Sequence, residues 1–122
     1  MEEKVIIQKL KKDIKDNYSL ANRYYSILFK FNDMKLAKRE IEFISFLSIK
    51  GNAVNIRLKR EFCKSYKTTT PTINNIISRL KKYKILIKKD GSIIINPLIS
   101  LDFGKDIFLT LHFKHEATEH DN

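Results

Sequence analysis

Apolar residues recur at helical spacing through the middle of the chain. Over 38–49, Ile41, Ile44 and Leu47, joined by Phe43, fall on one side, with Lys38, Arg39, Glu42 and Ser45 on the other. That spacing predicts an amphipathic helix, closed by Gly51-Asn52. A second, shorter helix is predicted over 58–66, with Leu58, Phe62, Cys63 and Tyr66 on its buried stripe and Lys59, Arg60 and Lys64 outside. Lys67-Thr68-Thr69-Thr70-Pro71 then interrupts the pattern. Thr70 suits an N-cap and Pro71 the first helical position, where a missing N–H leaves nothing unsatisfied. Over 71–83 a third helix is predicted, with Ile73, Ile76, Ile77 and Leu80 on one face. At about 100° per residue, Asn75, Ser78 and Lys82 lie opposite that face, flanked by Asn74 and Arg79.

The period then shortens. Two β-branched runs, Ile85-Leu86-Ile87 and Ile93-Ile94-Ile95, flank Lys88-Lys89-Asp90-Gly91-Ser92. Asp-Gly between such runs predicts a hairpin with a two-residue type I′ turn, here spanning 85–95 and closed by Asn96-Pro97. Alternation returns where Ile107, Leu109, Leu111 and Phe113 interleave with Phe108, Thr110, His112 and Lys114, predicting a half-buried strand over 106–114. In the N-terminal third, Leu20, Tyr24, Ile27, Leu28 and Phe31 predict a helix over 19–31 with Ser19 as its N-cap. Residues 4–14 admit two readings: Ile7, Leu10 and Ile14 fit a helix, and Val5-Ile6-Ile7 fits the opening of a strand. The polar tail 116–122 is expected to be disordered. These elements predict an α+β, mainly α, single domain over 1–115.

Charge sharpens this picture. The 122 residues carry 24 Lys and Arg against 14 Asp and Glu, a formal net charge of +10. Residues 35–89 hold fifteen basic and three acidic residues, whereas 1–34 are nearly balanced and 90–122 are acidic. A surface built only for solubility mixes both signs, so the middle segment points to an anionic partner.

Other classes recede. No apolar run approaches the roughly 20 residues of a membrane helix, and Met1-Glu2-Glu3 does not begin a secretory signal. The single cysteine, Cys63, reads as a small packing residue, and three scattered glycines form neither a P-loop nor a dinucleotide fingerprint. His112, His115 and His120 are too sparse in further ligands for a metal centre. Asp102, Asp106 and Glu116 are near one another only in sequence. The chain is therefore read as a cytoplasmic protein that is not an enzyme, with no metal, cofactor or small-molecule ligand. Its richness in Lys, Ile and Asn, whose codons are AT-rich, fits a bacterial, phage or plasmid origin.

Two short helices, a Thr-rich turn, a helix with a polar outer face and a basic-tipped hairpin form an order that resembles the winged helix-turn-helix family, over about 35–97. Its most similar stretch runs from Thr69 through Lys82 and on through Tyr83-Lys84-Ile85-Leu86-Ile87. Lys84 stands where such proteins usually have Gly, so the same helix-to-wing turn requires a positive φ there. The resemblance implies a double-stranded DNA-binding protein, a transcriptional regulator, with helix 71–83 in the major groove and hairpin 85–95 as the wing. A groove about 12 Å wide admits one helix, whose outward side chains meet base edges. Asn74 or Asn75 then suits adenine, Arg79 guanine, and Ser78 and Lys82 phosphate. Thr69, Thr70 and Thr72 sit where a helix N-terminus favours phosphate. Lys88 and Lys89 at the wing, with Arg57, Lys59, Arg60, Lys64 and Lys67, supply further backbone contacts. The same module also serves as a protein-interaction or replication and packaging accessory, which is the alternative reading.

The flanks 1–34 and 98–115 lie outside that core: an N-terminal helical extension and an extra C-terminal strand. The strand needs a partner for its edge and cover for its apolar face, from the N-terminal segment or from a second copy. A homodimer built through these flanks is the expectation.

Overall fold

The computed structural model describes residues 2–10, 16–105 and 107–115. Among these residues four helices dominate, accompanied by two separate pairs of antiparallel strands: an α+β, mainly α arrangement. In chain order the elements are β1 (Glu2–Leu10), α1 (Asn17–Phe31), α2 (Lys38–Ile49), α3 (Ile56–Tyr66), α4 (Thr70–Lys82), β2 (Leu86–Lys89), β3 (Ser92–Ile95) and β4 (Ile107–His115). Of the sequence-level expectations, residues 11–14 with Ile14, Asp106, His120 and the tail 116–122 lie outside the described residues.

The apolar stripes meet in one core. Tyr25 and Phe29 of α1, Phe43, Ile44 and Leu47 of α2, Leu58 and Phe62 of α3, and Ile73, Ile77 and Leu80 of α4 are all buried in it, with Leu86 and Ile95 of the hairpin. An aromatic cluster locks α2 to α3: Phe62 meets Phe43 edge-on at 5.1 Å and stacks on Tyr66 at 4.3 Å. Buried rings in these geometries add about 0.5–1.5 kcal/mol per pair beyond their area.

Several local expectations need correction. Asp16, not Ser19, caps α1, accepting from the Ser19 N–H at 2.7 Å. A carboxylate at that position satisfies an orphan N–H and also complements the helix dipole. Thr69, not Thr70, caps α4, so Thr70 and Pro71 occupy its first turn. α3 begins two residues early because Asn55 accepts from the Leu58 N–H at 2.8 Å. Ser45, expected on the outer side of α2, is fully buried. Its helix is covered on two sides, and its hydroxyl is satisfied by the Ile41 carbonyl at 2.8 Å. Residues 2–10 form a strand, so the N-terminal extension is not wholly helical.

The hairpin follows its turn chemistry. Lys89 pairs with Ser92 across Asp90 and Gly91, at φ 51° and 81°, as a type I′ turn requires. Sequence reading missed a third short segment on its edge. Ala53 bridges Ile94; the Val54 N–H donates to Ile93 O, and the Ile95 N–H donates to Asn52 O, both at 2.9 Å. The chain between α2 and α3 thus ties the hairpin to the helices.

Beyond the hairpin, the Tyr25 hydroxyl donates to Ile99 O at 2.8 Å, anchoring the returning chain on α1. β4 then pairs antiparallel with β1 over all nine residues, from Glu2 opposite His115 to Leu10 opposite Ile107. Ile107 is buried against Leu20 of α1.

Candidate nucleic-acid interface

α3 packs against α4 across the turn 67–69, and α4 packs against β2 of the hairpin. Capping fixes where α4 starts: Thr69 Oγ1 accepts from the Thr72 N–H at 3.4 Å and lies 3.0 Å from Thr72 Oγ1. Thr69, Thr70 and Thr72 are exposed, although Thr69 and Thr72 already hydrogen-bond one another, and Thr70 Oγ1 lies 4.0 Å from Cys63 Sγ.

Along the outer face of α4, Asn75, Ser78 and Lys82 are exposed and bond to no other side chain among the described residues. Asn74 is exposed too, but its Oδ1 accepts from Lys59 Nζ at 3.0 Å, which couples the outer face of α4 to α3. Both Lys59 and Asn74 were expected to face an anionic partner independently; the structure brings them together.

Arg79 stands differently. Its Nε lies 2.9 Å from Oε2 of Glu40, a carboxylate that is 8% exposed, and its terminal nitrogen donates to Lys35 O at 3.0 Å. The guanidinium also covers the Tyr83 ring at 5.3 Å. Glu40 in turn accepts from the Ala37 N–H at 2.7 Å, half of a capping box at the start of α2. Arg79 thus pins α4 to α2, and as it stands its fork is not offered to a base edge. Glu40 escaped the sequence reading because Ala37, which offers no side-chain oxygen, hides the capping pattern whose acidic member Glu40 is.

The remaining carboxylates of the basic segment are also engaged. Glu42 pairs with Arg39 at 3.1 Å, and Arg39 lies over the Tyr66 ring. Glu61 sits between Arg57 at 3.6 Å and Lys50 at 3.8 Å. Arg57 is therefore partly compensated, although its side chain is 89% exposed. By contrast, Arg60, Lys64, Lys67, Lys82, Lys88 and Lys89 are exposed and form no ion pair among the described residues. Lys81 and Lys84, which sequence reading did not single out, share that condition. The three acidic residues of 35–89 are thus spent on Arg39, on Arg57 with Lys50, and on Arg79 of α4. Lys81 and Lys82 of α4, Lys67 of the turn and Lys88 and Lys89 of the hairpin have no acidic partner among the described residues. Surface ion pairs of this kind contribute little stability, so the significance lies in where the net charge remains.

No group of three His, Cys, Asp or Glu residues that could hold a metal ion occurs among the described residues, and no helix among them is long and apolar enough to cross a membrane. No family model, curated protein or solved structure matches this chain.

Proposed function

We propose that this chain is a winged helix-turn-helix protein that binds double-stranded DNA in a sequence-specific manner and acts as a transcriptional regulator. α4 enters the major groove, α3 crosses the backbone behind it, and the β2–β3 hairpin forms the wing. The observation that carries the reading is the pairing pattern of the basic segment. Every carboxylate in 35–89 is consumed by a neighbouring cation, while eight lysines and arginines on α3, α4, the turns after them and the hairpin have no acidic partner among the described residues. Self-repulsion of that kind is relieved by a polyanion.

The element order supports the same reading: α2, the short 52–54 segment on the hairpin edge, α3, a three-residue turn, α4 and a two-stranded hairpin. In this arrangement Asn75 reads a base edge, with Ser78 and Thr72 beside it. Lys82, Lys88, Lys89, Arg60, Lys64 and Lys67 meet phosphates. Arg79 holds the reading helix at its angle on α2 and does not itself read guanine.

Selection from a random duplex library tests the proposal. A recurring motif, enriched over successive rounds and lost when Asn75 is replaced by alanine, is the expected outcome. Retention of duplexes without any enriched motif would remove the claim of sequence specificity, and no retention at all would leave the interaction-module reading in its place.

A further inference from the structure

The β1–β4 ribbon lacks what a sheet ordinarily needs. Two strands of nine residues pair along their whole length, and among the described residues neither has a neighbour on its other edge. Isolated two-stranded ribbons are marginal in water, and a long edge without Pro or Gly invites another strand. β1 has neither residue, and Val5-Ile6-Ile7 at its centre favours pairing. At the Leu10–Ile107 end of the ribbon, Ile107 packs against Leu20 of α1.

We infer that β1 pairs antiparallel with β1 of a second copy, with Ile6 on the two-fold axis, to form a four-stranded sheet β4–β1–β1–β4. The register follows from charge and parity. β1 carries Glu2 and Glu3 at its start and Lys9 near its end. With Ile6 opposite Ile6, Glu3 of each copy stands opposite Lys9 of the other, giving two opposite-charge pairs related by the axis. The same register keeps matching faces together. Within one ribbon, Ile6 and Leu10 share a face with Ile107, Leu109, Leu111 and Phe113, and with Glu2, Lys4 and Gln8 of the same strand. Pairing Ile6 with itself joins like faces across the axis, with Lys4 opposite Gln8 on either side of the Ile6 pair.

Other registers lose one advantage or the other. A two-fold axis between Val5 and Ile6 pairs Glu2 with Lys9 but sets the apolar face of one ribbon beside the opposite face of the other. Centring on Val5 or Ile7 preserves the faces and loses the charge pairs. β4 is the poorer edge for self-pairing, because its charged and titratable residues, Lys114 and three-residue neighbours His112 and His115, include no acid to stand opposite them.

This inference is independent of the DNA-binding reading, since it concerns mass in the absence of nucleic acid. Size exclusion with light scattering should give about twice the 14.4 kDa of one chain. Glu3→Lys or Lys9→Glu alone places like charges opposite each other twice and should raise the dimer dissociation constant about tenfold. An equimolar mixture of the two variants restores both opposite-charge pairs and should recover wild-type association as a mixed dimer, a recovery that a folding defect would not show. In a Cys63→Ser background, Ile6→Cys should oxidise to a covalent dimer and Val5→Cys should not, because only residue 6 meets its own copy. A monomer at the highest soluble concentration overturns the inference. So does a dimer whose association ignores both charge reversals and cross-links equally at 5 and 6.

Discussion

Two lysines occupy backbone positions usually given to glycine. Lys67 and Lys84 follow α3 and α4 with φ of 52° and 61°, in the left-handed region where a Cβ is strained. At Lys84 the reason is a Schellman ending: its N–H donates to Lys81 O and the Ile85 N–H donates to Leu80 O, both at 3.0 Å. The turn aims the chain from α4 into β2, with Leu80 and Ile85 buried on either side of it. Lys84→Gly should therefore stabilise the protein by about 1 kcal/mol, seen as a higher urea midpoint with an unchanged slope. A lower midpoint would mean that the lysine side chain contributes more than its backbone strain removes.

Tyrosines supply a second residue-scale prediction. Burial raises the phenol of Tyr25 well above its ordinary 10.0, and burial with the Tyr66 hydroxyl alongside does the same for Tyr18; burial also raises Tyr24. For an acid whose folded value is raised, folding is favoured while both states are protonated. That contribution is lost as pH climbs past the unfolded value near 10, where only the unfolded chain ionises freely. The urea midpoint should accordingly fall above pH 10, and part of the tyrosinate absorbance should rise together with unfolding. Ionisation of all five tyrosines in one step near the ordinary value, with the fold intact, would contradict the packing of α1.

At the scale of elements, the proposed function divides recognition between α4 and the hairpin. Asn75→Ala should lose about 1–3 kcal/mol on the selected duplex and little on random DNA. The pair Lys88→Ala and Lys89→Ala should weaken both duplexes alike and reduce the salt slope by up to about 2. Equal losses from Asn75→Ala on both duplexes would make it a backbone contact. These elements were largely legible in the sequence because each carries a local rule: Ile73, Ile76, Ile77 and Leu80 at helical spacing, or Asp90-Gly91 between β-branched runs. Helix starts slipped by one to three residues because Asp16, Asn55 and Thr69 compete with equally plausible caps nearby, as Thr69 does with Thr70. Residues 4–14 stayed open between helix and strand because Ile7, Leu10 and Ile14 fit the one and Val5-Ile6-Ile7 the other; pairing with β4, about a hundred residues away in the chain, decides it for 2–10. The commitment of Arg79 to Glu40 was invisible for the same reason, since their proximity is created by α4 lying on α2.

Across the whole molecule, the basic residues concentrate in the middle of the chain. The basic middle segment 35–89 contributes α2, α3, α4 and β2, and the flanks contribute α1, β3 and the β1–β4 ribbon. Pairing of two ribbons would carry two basic faces on one sheet, although a single copy already holds all the residues proposed to touch DNA. The central claim is that the uncompensated cations around α4 and the hairpin meet duplex phosphates. An equilibrium titration of wild-type protein against labelled duplex and single-stranded DNA, repeated over a range of salt concentrations, tests it most directly. With about six phosphate contacts, log affinity for duplex should fall against log salt with a slope of about −5, and duplex should bind more tightly than the single strand. No duplex binding at low salt, or single-strand affinity equal to or above duplex affinity, would contradict the claim.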